Sequence, residues 1–328
     1  MMMSDSASST PSKGIYHRLY HRRHGFLSLD NKYCIGLLVF LVVTVLFFLE
    51  NAALTGKGDG GVALVGNRKA MVEKTDLSKK RAQPSFEHPM PHVKSLVLVA
   101  CHSVFTGVDW RNAEDKNNWA LLGYQRRTPG QVESFLEHIK LGVDEAARDE
   151  NSMLVFSGGQ TRKQAGPRSE ANGYWTVAEA NGWFGHGDSV RSRAFTEEHS
   201  RDSLENVLFS LCRFYELTGS YPEKIVVVSY EFKEERFLQT HRKAIKWPEN
   251  RIEFIGTPAL DPKAFEGEEK TKRSFEKDPY GCQGELSEKR VKRDPFAQGG
   301  YSADRCPDME GLLDYCGTRI YPKRLPWT

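Results

Sequence analysis

Two short stretches concentrate the residue types that do chemistry. One is Ser157-Gly158-Gly159, followed by Gln160, Thr161 and Arg162. The other runs Glu-Glu-His-Ser-Arg-Asp-Ser-Leu-Glu-Asn from Glu197 to Asn206. Each stands where an apolar run gives way to a helical pattern, and in an α/β sheet ligands bind at that handover. A glycine pair there lets the backbone approach an anion, whose phosphate the turn's N–H groups can cradle. A tight turn that needs glycine for its dihedral angles accounts for the pair equally well. Arg162, Lys163 and Arg168 follow at once and favour the anion.

Glu170 falls in the first turn of the next helical pattern, where a carboxylate complements the helix dipole by about 0.3–1 kcal/mol. A functional role there would be to hold a ligand hydroxyl or act as a base. Asp202 and Glu205 fit an N-cap and its capping-box partner. That leaves Glu197, Glu198, Ser200, Ser203 and Asn206 as polar residues at the mouth of a crevice. His102 directly follows the first apolar run, where an imidazole suits acid–base work. Ser229-Tyr230-Glu231-Phe232-Lys233 repeats the pattern, with Arg236 one turn further on.

No metal is expected. His88 and His92 lie in a proline-containing stem, and Cys282, Cys306 and Cys316 lack the paired spacing of a zinc site. The Gly-x-Ser-x-Gly elbow of ordinary serine hydrolases is missing from the sequence. No cofactor is assigned.

The elements that position these residues are legible as an alternation. Ser95-Leu-Val-Leu-Val-Ala100 and Lys224-Ile-Val-Val-Val-Ser229 are continuous apolar runs suited to strands buried on both faces. Shorter strands are predicted over residues 153–156, 192–195 and 251–256. Between them, Thr128-Pro129-Gly130-Gln131 reads as a helix start, with Val132, Phe135, Ile139 and Val143 at helical spacing. Further helices are predicted over residues 169–180, from Asp202 to a C-cap at Gly219, and over 232–246. The expected fold is α/β, a Rossmann-like three-layer sandwich with a mainly parallel sheet over residues 95–256. Residues 257–328 are charged, then rich in Pro, Gly, Tyr and Cys. They match no regular element and are expected to pack on the domain as an extension.

Residues 34–49 carry no charge and lie between Lys32 and Glu50. With their flanks they approach the ~20 residues that span a bilayer. A single transmembrane helix is therefore predicted over residues 33–54, with the lipid bilayer as partner through 34–49. It follows a disordered tail, 1–32, and precedes a polar stem, 55–94. Five Lys and Arg residues before the span place the N-terminus in the cytoplasm and the large domain in the lumen. The short span suits endoplasmic-reticulum or Golgi membranes. No Asn-x-Ser/Thr acceptor occurs. Apart from Cys34 there are five cysteines, an odd number that leaves the redox setting open; the last three could include one bridge. The net charge of +3 is spread along the chain, so nucleic acid is not an expected partner.

In order, a strand ending in Ser157-Gly158-Gly159, Glu170 opening a helix, then Glu197, Ser200, Ser203 and Asn206, then Ser229, Phe232, Lys233 and Arg236 resemble the DUF218 (YdcF/SanA/ElyC-like) family. Phe156 to Arg162, Arg201 to Asn206, His241-Arg242 and Asp278 to Cys282 resemble its fungal, membrane-anchored branch. The resemblance implies a Rossmann-like fold whose polar motifs form one pocket. Where bacterial members usually have His and Thr, this chain has Lys233 and Ser203. On this reading Ser157, Gly158, Gly159, Lys233 and Arg236 hold a small anionic or nucleotide-like ligand. Ser200, Ser203, Asn206 and Ser229 complete the polar wall, and Glu170, Glu197 and His102 are candidates for catalysis. A hydrolase or transferase is expected; the alternative is a non-catalytic binding or scaffold protein of the secretory membranes.

Overall fold

Runs of β-branched and leucine side chains, apolar on both faces, build the centre of the fold. In the computed structural model, which describes residues 87–328 together with Val42, Thr44 and Val45, they form five strands. These are β1 (Ser95–Ala100), β2 (Ser152–Ser157), β3 (Ala194–Glu197), β4 (Lys224–Tyr230) and β5 (Ile252–Thr257). They make one sheet in the order β3-β2-β1-β4-β5, and every pairing is parallel. The longer helices are α1 (Gln131–Ala147), α2 (Glu170–Ala180), α3 (Ser203–Thr218), α4 (Lys263–Lys277) and α5 (Gly284–Lys292). Along β1 the pleat sends Val97 and Val99 into the core under α1 and α2, and Leu96 and Leu98 into the core under α3. The result is the expected α/β, Rossmann-like sandwich. Its strand order reverses between β1 and β4, which opens a crevice at their carboxyl ends.

The chain divides into two compact units, residues 1–79 and 80–328. In the first, Val42, Thr44 and Val45 are helical. The rest of the expected membrane span, the tail 1–32 and most of the stem lie outside the described residues. Among the described residues no helix is long and apolar enough to cross a membrane. The end of the stem belongs to the fold: Met90 N donates to Leu217 O at 2.9 Å, and Val93 is wholly buried.

Several local expectations need correction. Helix α1 starts at Gln131, not at Pro129 behind a Thr128 cap, because Gly130 takes a left-handed conformation (φ 72°) that turns the chain between two helices. Thr128 instead ends the short helix Gly123–Arg127, its hydroxyl donating to Tyr124 O. The expected helix over 232–246 is broken into a 3₁₀ turn, Glu231–Lys233, and a π-helical stretch, Arg236–His241. In α3 the cap is as expected: Asp202 Oδ1 accepts from Leu204 N and Glu205 N, and Gly219 (φ 74°) ends the helix. Glu205 closes back onto Arg201 N at 2.8 Å, one residue earlier than a capping box would.

The C-terminal extension packs on the sheet domain, but it is not devoid of regular structure. Helices α4 and α5 escape sequence reading because each buries a single side chain, Phe275 and Leu286. Phe275, Tyr280, Met309 and Trp327 join the core beneath α3. Two disulfides hold the extension, Cys212–Cys306 and Cys282–Cys316, and the buried thiol of Cys101 accounts for the odd count. The Cys212–Cys306 bond ties α3 to the extension across 94 residues. Replacing both cysteines with alanine should lower stability in urea by about 2–5 kcal/mol. Unchanged stability would show that the bond does not constrain the fold.

Candidate functional site

The carboxyl ends of the strands open into a cleft of about 710 Å³. His102 reaches it from the end of β1, Gly158, Thr161 and Arg162 from the turn after β2, and Glu170 from the start of α2. Ser200, Asp202, Ser203 and Asn206 come from the β3–α3 connection. Tyr230, Phe232, Lys233 and Arg236 follow β4, and Glu268, Lys289 and Arg293 come from the C-terminal extension. Eight of the residues nominated from sequence therefore share one cleft: His102, Gly158, Glu170, Ser200, Ser203, Asn206, Lys233 and Arg236. Ser157, Gly159, Glu197 and Ser229 lie outside its lining.

For Ser157, Gly159 and Glu197 the reason is a closed hydrogen-bond cluster. The Ser157 hydroxyl donates to Glu197 Oε2 at 2.5 Å, and Glu197 Oε1 accepts from His199 N (2.6 Å) and Ser200 N (3.0 Å). Asn206 Nδ2 donates to Ser157 O, Ser157 Oγ and Ser200 Oγ at 2.8–3.0 Å. Glu197 is 1 % exposed. Burial pushes its carboxyl up to about 7, against the donors that favour the charged form. The glycine pair is likewise committed: Gly158 N donates to Glu197 O at 2.9 Å and Gly159 N to Ser200 O at 2.8 Å. These two amides cannot cradle an anion. Glycine is required because a Cβ at 159 would come within 2.7 Å of Ser200 O, and one at 158 within 2.8 Å of Cys101 and Glu170.

Charge gathers on the other side of the cleft. Arg162 donates to Thr161 Oγ1 at 2.8 Å and to His102 O at 3.1 Å, and lies 3.6 Å from Glu170, whose carboxylate also accepts from the Thr161 hydroxyl. Arg236 pairs with Glu268 at 2.8 Å, and Arg290 pairs with Asp202 at 2.6 Å. These contacts occupy the nearby carboxylates. Lys233, Lys289 and Arg293, all half-buried, line the cleft and form no ion pair among the described residues. Lys233 Nζ lies 3.4 Å from His102 Nδ1, and His102 Nε2 lies 3.3 Å from Ser229 Oγ. Burial, then Arg236 and Arg293, bring the Lys233 ammonium down to about 7. Burial, then Lys233, hold His102 well below the usual imidazole range, so it is neutral.

Aromatic rings floor this half of the cleft. His102 stacks on Tyr230 (4.9 Å, 18°) and Tyr230 on Phe232 (5.2 Å, 14°), with Lys233 Nζ 5.3 Å from the Tyr230 centroid. Glu268, Lys289 and Arg293 were not found from sequence, because they stand on helices whose charged faces read as solvated surface. Arg290, which clamps Asp202, is of the same kind. His241, 2.8 Å from Ser203 Oγ, carried no spacing signal of its own.

An uncharacterized protein of Saccharomyces cerevisiae, YOR238W, is 28% identical to this chain over 300 residues, covering 71% of the chain and 97% of the yeast protein. No family profile matches the chain, and no solved structure matches it.

Glu197 and Lys233 give stability opposite slopes. Glu197 titrates near 7 when folded and near 4.5 when unfolded, so between those values the folded chain holds more protons and stability falls as pH rises. Lys233 titrates near 7 folded and 10.5 unfolded, so from 7 to 10.5 stability rises. Denaturant titrations across pH should show the first slope disappear in Glu197→Gln and the second in Lys233→Met. Slopes that persist in these variants would assign them to other groups.

Proposed function

We propose that the cleft binds a small anionic, phosphate-bearing ligand of nucleotide-like size. On this reading the chain is a membrane-anchored, DUF218-like hydrolase or transferase acting on that ligand. One observation carries the reading: Lys233, Lys289 and Arg293 line the cleft without a carboxylate within ion-pair distance among the described residues. Half-buried cations left unpaired lose hydration and repel one another, a cost that an anion between them removes. Ammonium and guanidinium groups are the usual phosphate ligands. The half-buried Phe232 ring, backed by Tyr230, adds a flat apolar surface of the kind a planar ring occupies. A cleft of about 710 Å³ falls within the range of small-molecule sites.

His102 and Lys233 supply acid–base capacity. At neutral pH Lys233 exchanges a proton readily, and its neighbour His102 is a neutral hydrogen-bonding partner. Glu170, held by Thr161 and Arg162, orients the Arg162 side of the cleft. Glu197 is a structural carboxylate in this account. Two disulfides are at home in an oxidising compartment, which supports a lumenal domain behind the membrane anchor, in the endoplasmic reticulum or Golgi.

Calorimetric titration of the full chain with pyrophosphate tests the reading. Lys233→Ala should weaken binding by roughly 10–100-fold, as for loss of a charged hydrogen bond of about 1.5–3 kcal/mol. In the unaltered chain affinity should fall as pH rises through about 7, where Lys233 loses its charge. No measurable binding, or binding indifferent to Lys233→Ala and Arg293→Ala, would refute the reading. Turnover of phosphoesters separates an enzyme from a recognition module.

A further inference from the structure

Ser203 is the first residue of α3, follows the cap Asp202 and lines the cleft half-buried. Its Oγ lies 2.8 Å from Nε2 of His241 and accepts a hydrogen bond from Arg236 Nη1 at 3.0 Å. A guanidinium only donates, so Ser203 Oγ is an acceptor towards Arg236. In the tautomer of His241 that carries its hydrogen on Nδ1, the single hydrogen of Ser203 is directed to Nε2. His241 stands behind the serine, wholly buried, with the edges of Phe275 (4.6 Å, 87°) and Phe237 (5.5 Å, 85°) fixing its plane. A hydroxyl at a cleft wall, a neutral imidazole behind it and a cation on the same oxygen are the parts of an activated nucleophile.

We propose that Ser203 is a catalytic nucleophile, with His241 as its general base and Arg236 as the cation that steadies the developing alkoxide, and that it attacks a phosphoester held in the cleft. The inference rests on the anionic-ligand reading for its substrate class. In the first step the Ser203 proton passes to His241 Nε2 and Oγ forms a bond to phosphorus. The bond from phosphorus to the leaving-group oxygen breaks, and that oxygen takes the proton from His241. Water, or an acceptor hydroxyl in a transferase, then gives its proton to His241 and attacks the phosphoserine. The bond from phosphorus to Oγ breaks, and Ser203 recovers its proton from His241. Asp202 opposes the burial and the Arg236 charge that otherwise hold His241 neutral, and so favours the transient imidazolium. The setting is a helix start after β3, which is why the absence of a Gly-x-Ser-x-Gly elbow does not bear on it.

Diisopropyl fluorophosphate tests this without knowledge of the substrate: Oγ bonds to phosphorus, fluoride leaves, and the proton goes to His241. Peptide mapping of the full, unaltered chain should find the adduct on Ser203, and pyrophosphate should slow its formation. His241→Gln should slow labelling by about 10²-fold or more while the melting temperature shows the chain folded. A chain that binds pyrophosphate but takes no adduct at Ser203 overturns the nucleophile and leaves the anionic cleft standing. Labelling at Ser203 that pyrophosphate neither slows nor accompanies with binding supports the serine–histidine pair and overturns the anionic cleft. Labelling just as fast in folded His241→Gln overturns the base.

Discussion

The arrangement of the cleft depends on one buried carboxylate. Glu197 ends β3 and gathers the Ser157 hydroxyl at the end of β2 with the amides of His199 and Ser200. Asn206 on α3 closes the same cluster from the helix side. A carboxylate this buried is tolerated only because its oxygens are met by donors. The satisfied cluster locks the ends of two strands to the start of a helix. That lock presents Asp202, Ser203 and Asn206 to the cleft and uses up the amides of the glycine turn. The two stretches rich in polar residues thus divide their labour: one half is scaffold, the other faces the cleft.

On the opposite wall the controlling fact is charge. Glu268, Glu170 and Asp202 are engaged by Arg236, Arg162 and Arg290, and among the described residues Lys233, Lys289 and Arg293 form no ion pair. Two of these three cations come from α5 and the residue that caps it, so the C-terminal extension is a wall of the cleft. It is held in place by the Cys212–Cys306 disulfide, by Arg290 on the α3 cap and by Arg293 on Arg201 O, while Cys282–Cys316 cross-links the extension internally. A change in that extension would therefore be felt in the cleft.

Much of the fold was legible in the sequence, because β-branched runs such as Val226-Val227-Val228 have few other places to go. The cap at Asp202 and the stop at Gly219 were readable for the same local reasons. His102 and Lys233 could be nominated because each closely follows a strand, and order along the chain reflects position on the sheet edge. What could not be read depended on contacts distant in sequence. Ser157 and Glu197 look like ligand groups until their mutual hydrogen bond is known. Cys212 gives no sign within a helix that it meets Cys306. Helices α4 and α5 lack an apolar stripe, so Glu268, Lys289 and Arg293 passed as surface charge. His241 lies in a π-helical stretch, where the 3.6-residue period that would place it fails.

Lys233, half-buried and in no ion pair among the described residues, is on the proposed reading a cation kept for an anionic ligand. Titration of its side chain by ¹³C NMR, with and without pyrophosphate, measures this most directly. The expected midpoint in the free chain is near 7, moving upward when pyrophosphate occupies the cleft. A midpoint at the ordinary lysine value of 10.5, or one that pyrophosphate leaves unmoved, would contradict the account.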